Sequence, residues 1–165
     1  DYFFNTTQES TGTLSDVTGL IGQYAHGNEP SHHVAYIYSY LDRPEETQRL
    51  VRQITTDFYK NKPDGLIGND DCGQMSAWYM FSAMGFYPLN PANGEFVLGA
   101  PQIEGAKINV GNGKFFTMEA KNLSDKNMYV EKVELNGQPY SLKHITYKDI
   151  MSGSSLVFYM TDSVK

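Results

Sequence analysis

A single cysteine, Cys72, stands among 165 residues, so no internal disulfide and no multi-cysteine metal site can form. The compartment stays open, because many exported proteins have no disulfides. No apolar run reaches the roughly 18 residues of a membrane-spanning helix, and no block of lysine or arginine occurs. With 13 basic against 19 acidic residues, a formal charge of −6 and an isoelectric point near 5.1, the chain offers no basic face to nucleic acid or to an anionic membrane. Repeats and low-complexity tracts are also lacking. The opening Asp1-Tyr2-Phe3-Phe4 has neither an initiator methionine nor a signal peptide, which reads as a mature product or a piece of a longer chain.

What is present is aromatic. Twelve tyrosines and 9 phenylalanines raise that share to 13%, beside 40% hydrophobic and 19% charged residues, the composition of a folded protein. The length suits one ordinary domain or two small halves sharing an interface. The pattern changes between Gly85 and Gly94, where Pro88, Pro91 and Asn93-Gly94 break any helix. Before it the chain reads as helical, after it as strands.

Residues 14–25 are ambiguous. Ser31 to Leu41 places Val34, Tyr38 and Leu41 at helical spacing, with Ser31 available as N-cap after Pro30. Asp42 and Glu45 have capping-box spacing around Pro44, and Leu50, Val51, Ile54 and Phe58 make an apolar stripe through residue 59. After a Pro/Gly-broken loop from Asn61 to Gly68, residues 73–84 are apolar on nearly every face and stop at Gly85, which predicts a helix enclosed by protein. Strands are predicted at 95–98, 107–110, 115–120, 128–135 and 156–160. Asn112-Gly113 and Asn136-Gly137 mark hairpin turns between them, so antiparallel pairing is expected.

Two polar segments stand at helix starts. His26-Gly27-Asn28-Glu29-Pro30-Ser31-His32-His33 gathers a carboxylate, an amide and three imidazoles, a set able to grip sugar hydroxyls or give oxygen ligands to a hard cation. It equally suits a capped helix start with satisfied histidines. Zinc fits less well, because adjacent histidines face different sides of a helix. In Gly68-Asn69-Asp70-Asp71-Cys72-Gly73-Gln74, Asp71 and Gln74 have capping-box spacing, so Asp71 reads either as an N-cap or as an ionised general base or calcium ligand. Trp78, the one tryptophan, is either a core residue or a platform for a sugar ring.

Taken together, GQYAHGNEPSHH at 22–33, PDGLIGNDDCGQMSAWYMFSAMGFYPLNP at 63–91 and FVLGAP at 96–101 closely resemble the α-mannosidases of glycoside hydrolase family 92, in the same order over essentially the whole chain. The resemblance implies an α+β arrangement. Residues 1–87 would be the terminal helices of an (α/α)6 catalytic barrel, and residues 88–165 an antiparallel, β-sandwich-like region. It further implies an exo-acting, inverting, calcium-dependent enzyme that removes terminal α-1,2-linked mannose from glycans in the periplasm or outside the cell.

Carried over by position, Asp71 would be the general base, with Asp70 and Asn69 placing the water. Asn28, Glu29, His26, His32, Asn69 and Trp78 would contact mannose, and Asn28, Glu29 and Asp71 would hold calcium. By the same resemblance the catalytic acid is a glutamate in an earlier barrel segment, and an N-terminal sandwich completes the pocket. Neither is matched in this chain. Glu9, Glu45 and Glu46 are acid candidates by residue type alone, so the isolated chain is expected to be inactive and to self-associate through faces meant for the rest of the parent enzyme. The alternative function is a non-catalytic carbohydrate-binding module, which would carry exposed aromatics on its strands.

Overall fold

The computed structural model describes residues 2–6, 17–141 and 143–164. Glu9 and the first residues of the ambiguous 14–25 stretch lie outside them. A short helix α1 (Tyr2–Asn5) packs on a two-stranded hairpin, β1 (Leu20–Ile21) and β2 (Tyr24–Ala25). Gly22 turns that hairpin at φ 60°, and a Cβ there would lie 2.6 Å from the carbonyl of Phe3, so close approach of α1 requires glycine.

The predicted helix over 31–41 is broken. Two 3-10 turns, Glu29–Ser31 and Val34–Tyr36, lead into a single α-turn, α2 (Ile37–Tyr40). Ser31 is no N-cap: its hydroxyl donates to the carbonyls of Ala25 and Asn28, at 2.7 and 2.8 Å, instead of accepting from a helix N–H. Helix α3 (Pro44–Phe58) forms as the stripe predicts, with Leu50, Val51 and Ile54 fully buried. Its expected Asp42–Glu45 box does not form. Arg43 is the N-cap residue, with no side-chain cap bond. Asp42, at φ 58°, pairs with Lys143 at 2.6 Å, while Glu46 is held by Arg43 and Arg49 at 3.1 and 3.0 Å.

Helix α4 (Gln74–Ala83) buries Met75, Trp78, Ser82 and Ala83 and ends into Gly85 at φ 88°. The predicted all-round enclosure is not met: Met80 is 63% exposed and Tyr79 38%. On α2 and the turn after it, Ile37, Tyr40 and Leu41 are exposed as well.

Beyond Gly85 come β3 (Phe86–Asn90), β4 (Glu95–Leu98), β5 (Gly105–Gly111), β6 (Lys114–Lys121), β7 (Tyr129–Leu135), β8 (Gln138–Tyr140), β9 (His144–Thr146), a helical turn α5 (Tyr147–Met151) and β10 (Ser155–Thr161). One sheet has the order β3-β4-β9, the other β5-β6-β10-β7-β8. Pro88 is tolerated because β3 is an edge strand and the ladder skips between Tyr87 and Asn90. Both Asn-Gly pairs turn hairpins, with positive φ at each of the four residues.

The expected all-antiparallel pairing needs correction. The last strand, β10, inserts between the two hairpins, antiparallel to β7 and therefore parallel to β6. Turn residues and period-two patterning report which residues alternate, not which strand lies beside which. On the outer face this register sets Tyr159 opposite both Lys121 and Lys132, whose ammonium groups lie 5.2 and 3.9 Å from its ring centre.

Two cores result. Both sheets share one, built around Phe86, Leu98, Phe116, Leu156 and Phe158; the helical half has another, around Tyr24, Tyr36, Leu50, Ile54 and Trp78. Strand β4 joins them, since alternation sends Leu98 into the first and Val97 into the second. Burying two such side chains contributes about 1.5–3 kcal/mol each. Tyr36 also donates to Ser82 Oγ at 2.7 Å, and Ser39 to the Leu98 carbonyl at 3.3 Å. The two halves thus pack against each other through β4 and these two hydrogen bonds.

The exposed Tyr79 and Met80 on α4, with Ile37, Tyr40 and Leu41, form apolar surface that water does not favour. In isolation the chain is expected to self-associate, with a sedimentation coefficient that rises with concentration. A concentration-independent monomer would refute this.

Candidate active site

The two polar segments meet. The His26 N–H donates to the Gly19 carbonyl and the Gly27 N–H to the Thr18 carbonyl, each at 3.0 Å. A Cβ on Gly27 would lie 2.0 Å from Thr18 Oγ1, so only glycine allows this approach. Thr18 Oγ1 donates onward to the Ile67 carbonyl at 3.4 Å, and a Cβ on Gly68 would lie 3.8 Å from Gly27 Cα. Residues 17–19 are the wedge that seats one turn against the other.

Ahead of α4 the backbone is left-handed at three successive residues, Asp71 (φ 49°), Cys72 (φ 58°) and Gly73 (φ 86°). That conformation is costly for side-chain-bearing residues and persists where the surroundings enforce it. The enforcing group is Asp70. Its Oδ1 accepts from the Ser76 N–H at 2.9 Å and its carbonyl from the Met75 N–H at 3.2 Å, so Asp70, from before the N-cap residue Gly73, satisfies two N–H groups of the first turn of α4. The expected Asp71–Gln74 capping box does not form; of Asp71, only the carbonyl takes part, accepting from the Gln74 N–H at 3.2 Å.

The Asp71 carboxyl makes no cap bond, and its neighbour is the carboxyl of Glu29. The facing Glu29 carboxyl raises its pKa above the ordinary value, with desolvation and the Asp70 charge adding to the effect. Glu29 Oε1 is buried and has no hydrogen-bond partner among the described residues. Two carboxyls meeting without a donor between them form an arrangement that takes up a proton or a cation, or accepts from hydroxyl groups. Asn28 and Asn69 expose their side chains beside them in sequence. Among the described residues no three His, Cys, Asp or Glu side chains gather to hold a metal.

Three residues expected to touch the sugar are enclosed instead. His26 is fully buried. The one hydroxyl proton of Tyr59 goes to the Met75 carbonyl at 3.0 Å, so its oxygen accepts from His26 Nε2–H at 2.7 Å, leaving His26 Nδ1 to accept from the Tyr24 hydroxyl at 2.8 Å. His32 is 1% exposed; its Nε2–H donates to the His26 carbonyl at 2.9 Å and its Nδ1 accepts from Gln74 Nε2 at 3.1 Å. Trp78 is fully buried, donates from Nε1 to the His32 carbonyl at 3.1 Å, and stacks on Tyr59 with ring centres 5.9 Å apart. None of the three presents a free polar atom or an open ring face.

The residues that sequence reasoning overlooked are those that complete this network: Tyr24, Tyr59, Tyr87 and, as more than a capping partner, Gln74. Burial pushes all three tyrosine hydroxyls up, so they stay protonated. Burial likewise holds His26 down at about 3, with the neighbouring His32 contributing, and lowers His32. The two stacked imidazoles, 4.6 Å apart, are neutral. Of the glutamates named by type alone, Glu45 lies 3.8 Å from Arg43 and Glu46 is bound by two arginines, far from any free catalytic carboxyl in character.

Residues 1–162 match the glycosyl hydrolase family 92 catalytic domain. A family 92 α-mannosidase of Bacteroides thetaiotaomicron, solved in complex with mannoimidazole, is similar over 98% of this chain and 21% of its own, with 45% identity and a TM-score of 0.92. A family 92 inverting mannosidase of the same organism is similar over 86% of this chain and 19% of its own, with 37% identity and a TM-score of 0.80. An uncharacterized secreted glycosidase of Arthroderma benhamiae is 29% identical over 79% of this chain and 17% of its own. The chain thus spans about a fifth of the length of these relatives.

A buried neutral histidine makes stability depend on pH with a definite sign. Below about 6.5 the unfolded chain protonates His26 while the folded chain does not, so stability is whole above that pH and is lost progressively down to about 3. The slope is at most about 1.4 kcal/mol per pH unit. His26→Phe is expected to lower the urea midpoint at pH 7.5 and to show a shallower fall on acidification, so that the two profiles converge. Parallel profiles would contradict a neutral His26.

Proposed function

Because the chain belongs to glycoside hydrolase family 92, we propose that it is the base-bearing part of the catalytic unit of an exo-acting α-mannosidase that removes terminal α-1,2-linked mannose with inversion. The observation that carries this reading is the meeting of Asp71 and Glu29, two carboxyls from turns far apart in sequence, outside the helix cap and beside exposed Asn28 and Asn69. The mannosidase solved with mannoimidazole and the inverting mannosidase support the substrate and the stereochemistry. In this reading the helical half closes an (α/α)6 barrel, and the two sheets form the sandwich-like region behind it.

Inversion needs a base that takes a proton from water on one face of the sugar and an acid that protonates the leaving oxygen on the other, about 6.5–9.5 Å apart. Asp71 is the base. A raised pKa strengthens a carboxylate for that task, provided it is ionised at the working pH. Glu29 lies too near Asp71 to be the opposing acid, and Glu45 and Glu46 are engaged by arginines. As the family resemblance implies, the acid is supplied by another segment of the parent enzyme, and the isolated chain is inactive.

Calcium belongs to this proposal. The donor set fits a hard cation as a partial shell: the oxygens are carboxylate and amide, and Glu29 Oε1 is buried with no hydrogen-bond partner among the described residues. Glu29, Asp71 and Asn28 would hold the ion, with the remaining ligands coming from substrate, water or the rest of the enzyme. Bound there, calcium would fix sugar hydroxyls and favour deprotonation of a nearby water. Export to the periplasm or beyond accords with the secreted fungal relative. A carbohydrate-binding module has less support, because the polar clustering is at turns before helices. The exposed strand aromatic Phe115 is covered by Lys107, whose Nζ lies 4.1 Å from its ring centre.

In the complete enzyme, Asp71→Asn is expected to lower kcat by roughly three orders of magnitude or more with the fold intact; turnover near that of the native enzyme would remove the base assignment. Glu29→Gln is expected to weaken calcium binding at least about tenfold in calorimetry. An unchanged isotherm would take Glu29 out of the cation site.

A further inference from the structure

Resting on the base assignment above, we infer that Gln74 and His32 are positioning residues, a tie through helix α4 that sets where the Glu29 turn stands relative to Asp71. The two carboxyls come from different segments, and each segment is referenced to the same helix. On one side Asp70 pins the Asp71 turn to the first residues of α4, through Ser76 and Met75. On the other, α4 reaches out to the Glu29 turn twice. The Gln74 amide donates to His32 Nδ1 at 3.1 Å, and Trp78 Nε1 donates to the His32 carbonyl at 3.1 Å.

His32 then closes its own loop. Its Nε2–H donates to the His26 carbonyl at 2.9 Å, so the residues from 26 to 32, with Glu29 at their centre, are held as a ring around one imidazole. His26 in turn is wedged between the Tyr24 and Tyr59 hydroxyls, and Tyr59 returns to α4 at the Met75 carbonyl. Every group in this circuit is buried or half-buried and has its donor and acceptor roles assigned. Gln74 is the only side chain of the circuit that sits in α4 immediately after the Asp71 turn and contacts the imidazole of the Glu29 ring. Tyr87 steadies it, accepting from the same amide nitrogen at 3.4 Å.

Catalytic groups tolerate little displacement: an error of about 1 Å costs roughly a hundredfold. Removing the Gln74 amide deletes one of the two bonds between α4 and the Glu29 turn without touching substrate, base or cation ligands.

The test is a double-mutant cycle in the complete enzyme between Gln74→Met and Asp71→Asn. If Gln74 acts by placing the turn against the base, Gln74→Met lowers kcat roughly 10- to 100-fold with KM changed by less than about threefold, and costs the Asp71→Asn enzyme less than about threefold further. An equal factor in both backgrounds, or no loss in the native one, overturns the tie while leaving the base assignment standing. Full turnover by Asp71→Asn alone overturns the base assignment and the tie with it. Should Gln74→Met fail to fold, Tyr87→Phe, which removes only the hydroxyl that orients the amide, enters the same cycle. The same pattern at a several-fold smaller size is expected, and no loss or an equal loss in both backgrounds again overturns the tie.

Discussion

Two carboxyls that would repel in isolation are held together at Glu29 and Asp71, and the helical half is organised around keeping them there. Glu29 Oε1 is buried without a hydrogen-bond partner among the described residues. Such an arrangement relaxes by moving apart unless the backbone on both sides is fixed. Here it is fixed: three left-handed residues end one turn, a ring around His32 defines the other, and Gly27 and Gly68 permit the contact between them.

The aromatic richness of the chain has its explanation in the same place. A polar turn cannot be anchored in an apolar core by hydrogen bonds alone unless each buried donor finds an acceptor. Tyrosine, histidine and tryptophan meet that need, because each brings a large ring to the core and a polar edge to a defined partner. Trp78, Tyr59, His26 and His32 stack and bond at once, so the network is both the core of the helical half and the frame of its site. The sheet half has no such demand. Its core is mainly phenylalanine, leucine and methionine, and it reaches into the helical core through Val97 on β4 and through Tyr87 and Leu89 on β3.

Much of the local structure was readable in the residues themselves. The stripe of α3, the glycine stop of α4, both Asn-Gly hairpins and the strands around residues 95–98, 115–120 and 156–160 follow from periodicity and turn chemistry, and these are short-range effects. The expected site likewise rested on two unusual polar segments, and both lie where the fold joins them. The errors have a common cause. Ser31 and Asp71 have the residue types and spacing of helix caps, but Ser31 bonds backward to Ala25 and Asn28, and Asp70 satisfies the first turn of α4 instead. Spacing names the groups that can cap; competition among neighbours decides which one does.

The sequence alone determined the family, the order of helices before strands and the two polar segments that the fold brings together, because long motifs and local periodicities survive without any knowledge of contacts. Only the tertiary structure decided which polar residues are free. His26, His32 and Trp78 stand beside Glu29 and Asp71 in the sequence, yet burial and complete hydrogen bonding make them frame, while Glu29 keeps a buried oxygen without a partner among the described residues and the Asp71 carboxyl makes no cap bond. Tertiary packing also decided that β10 runs parallel to β6, since strand neighbours are chosen by long-range burial that no turn signal encodes.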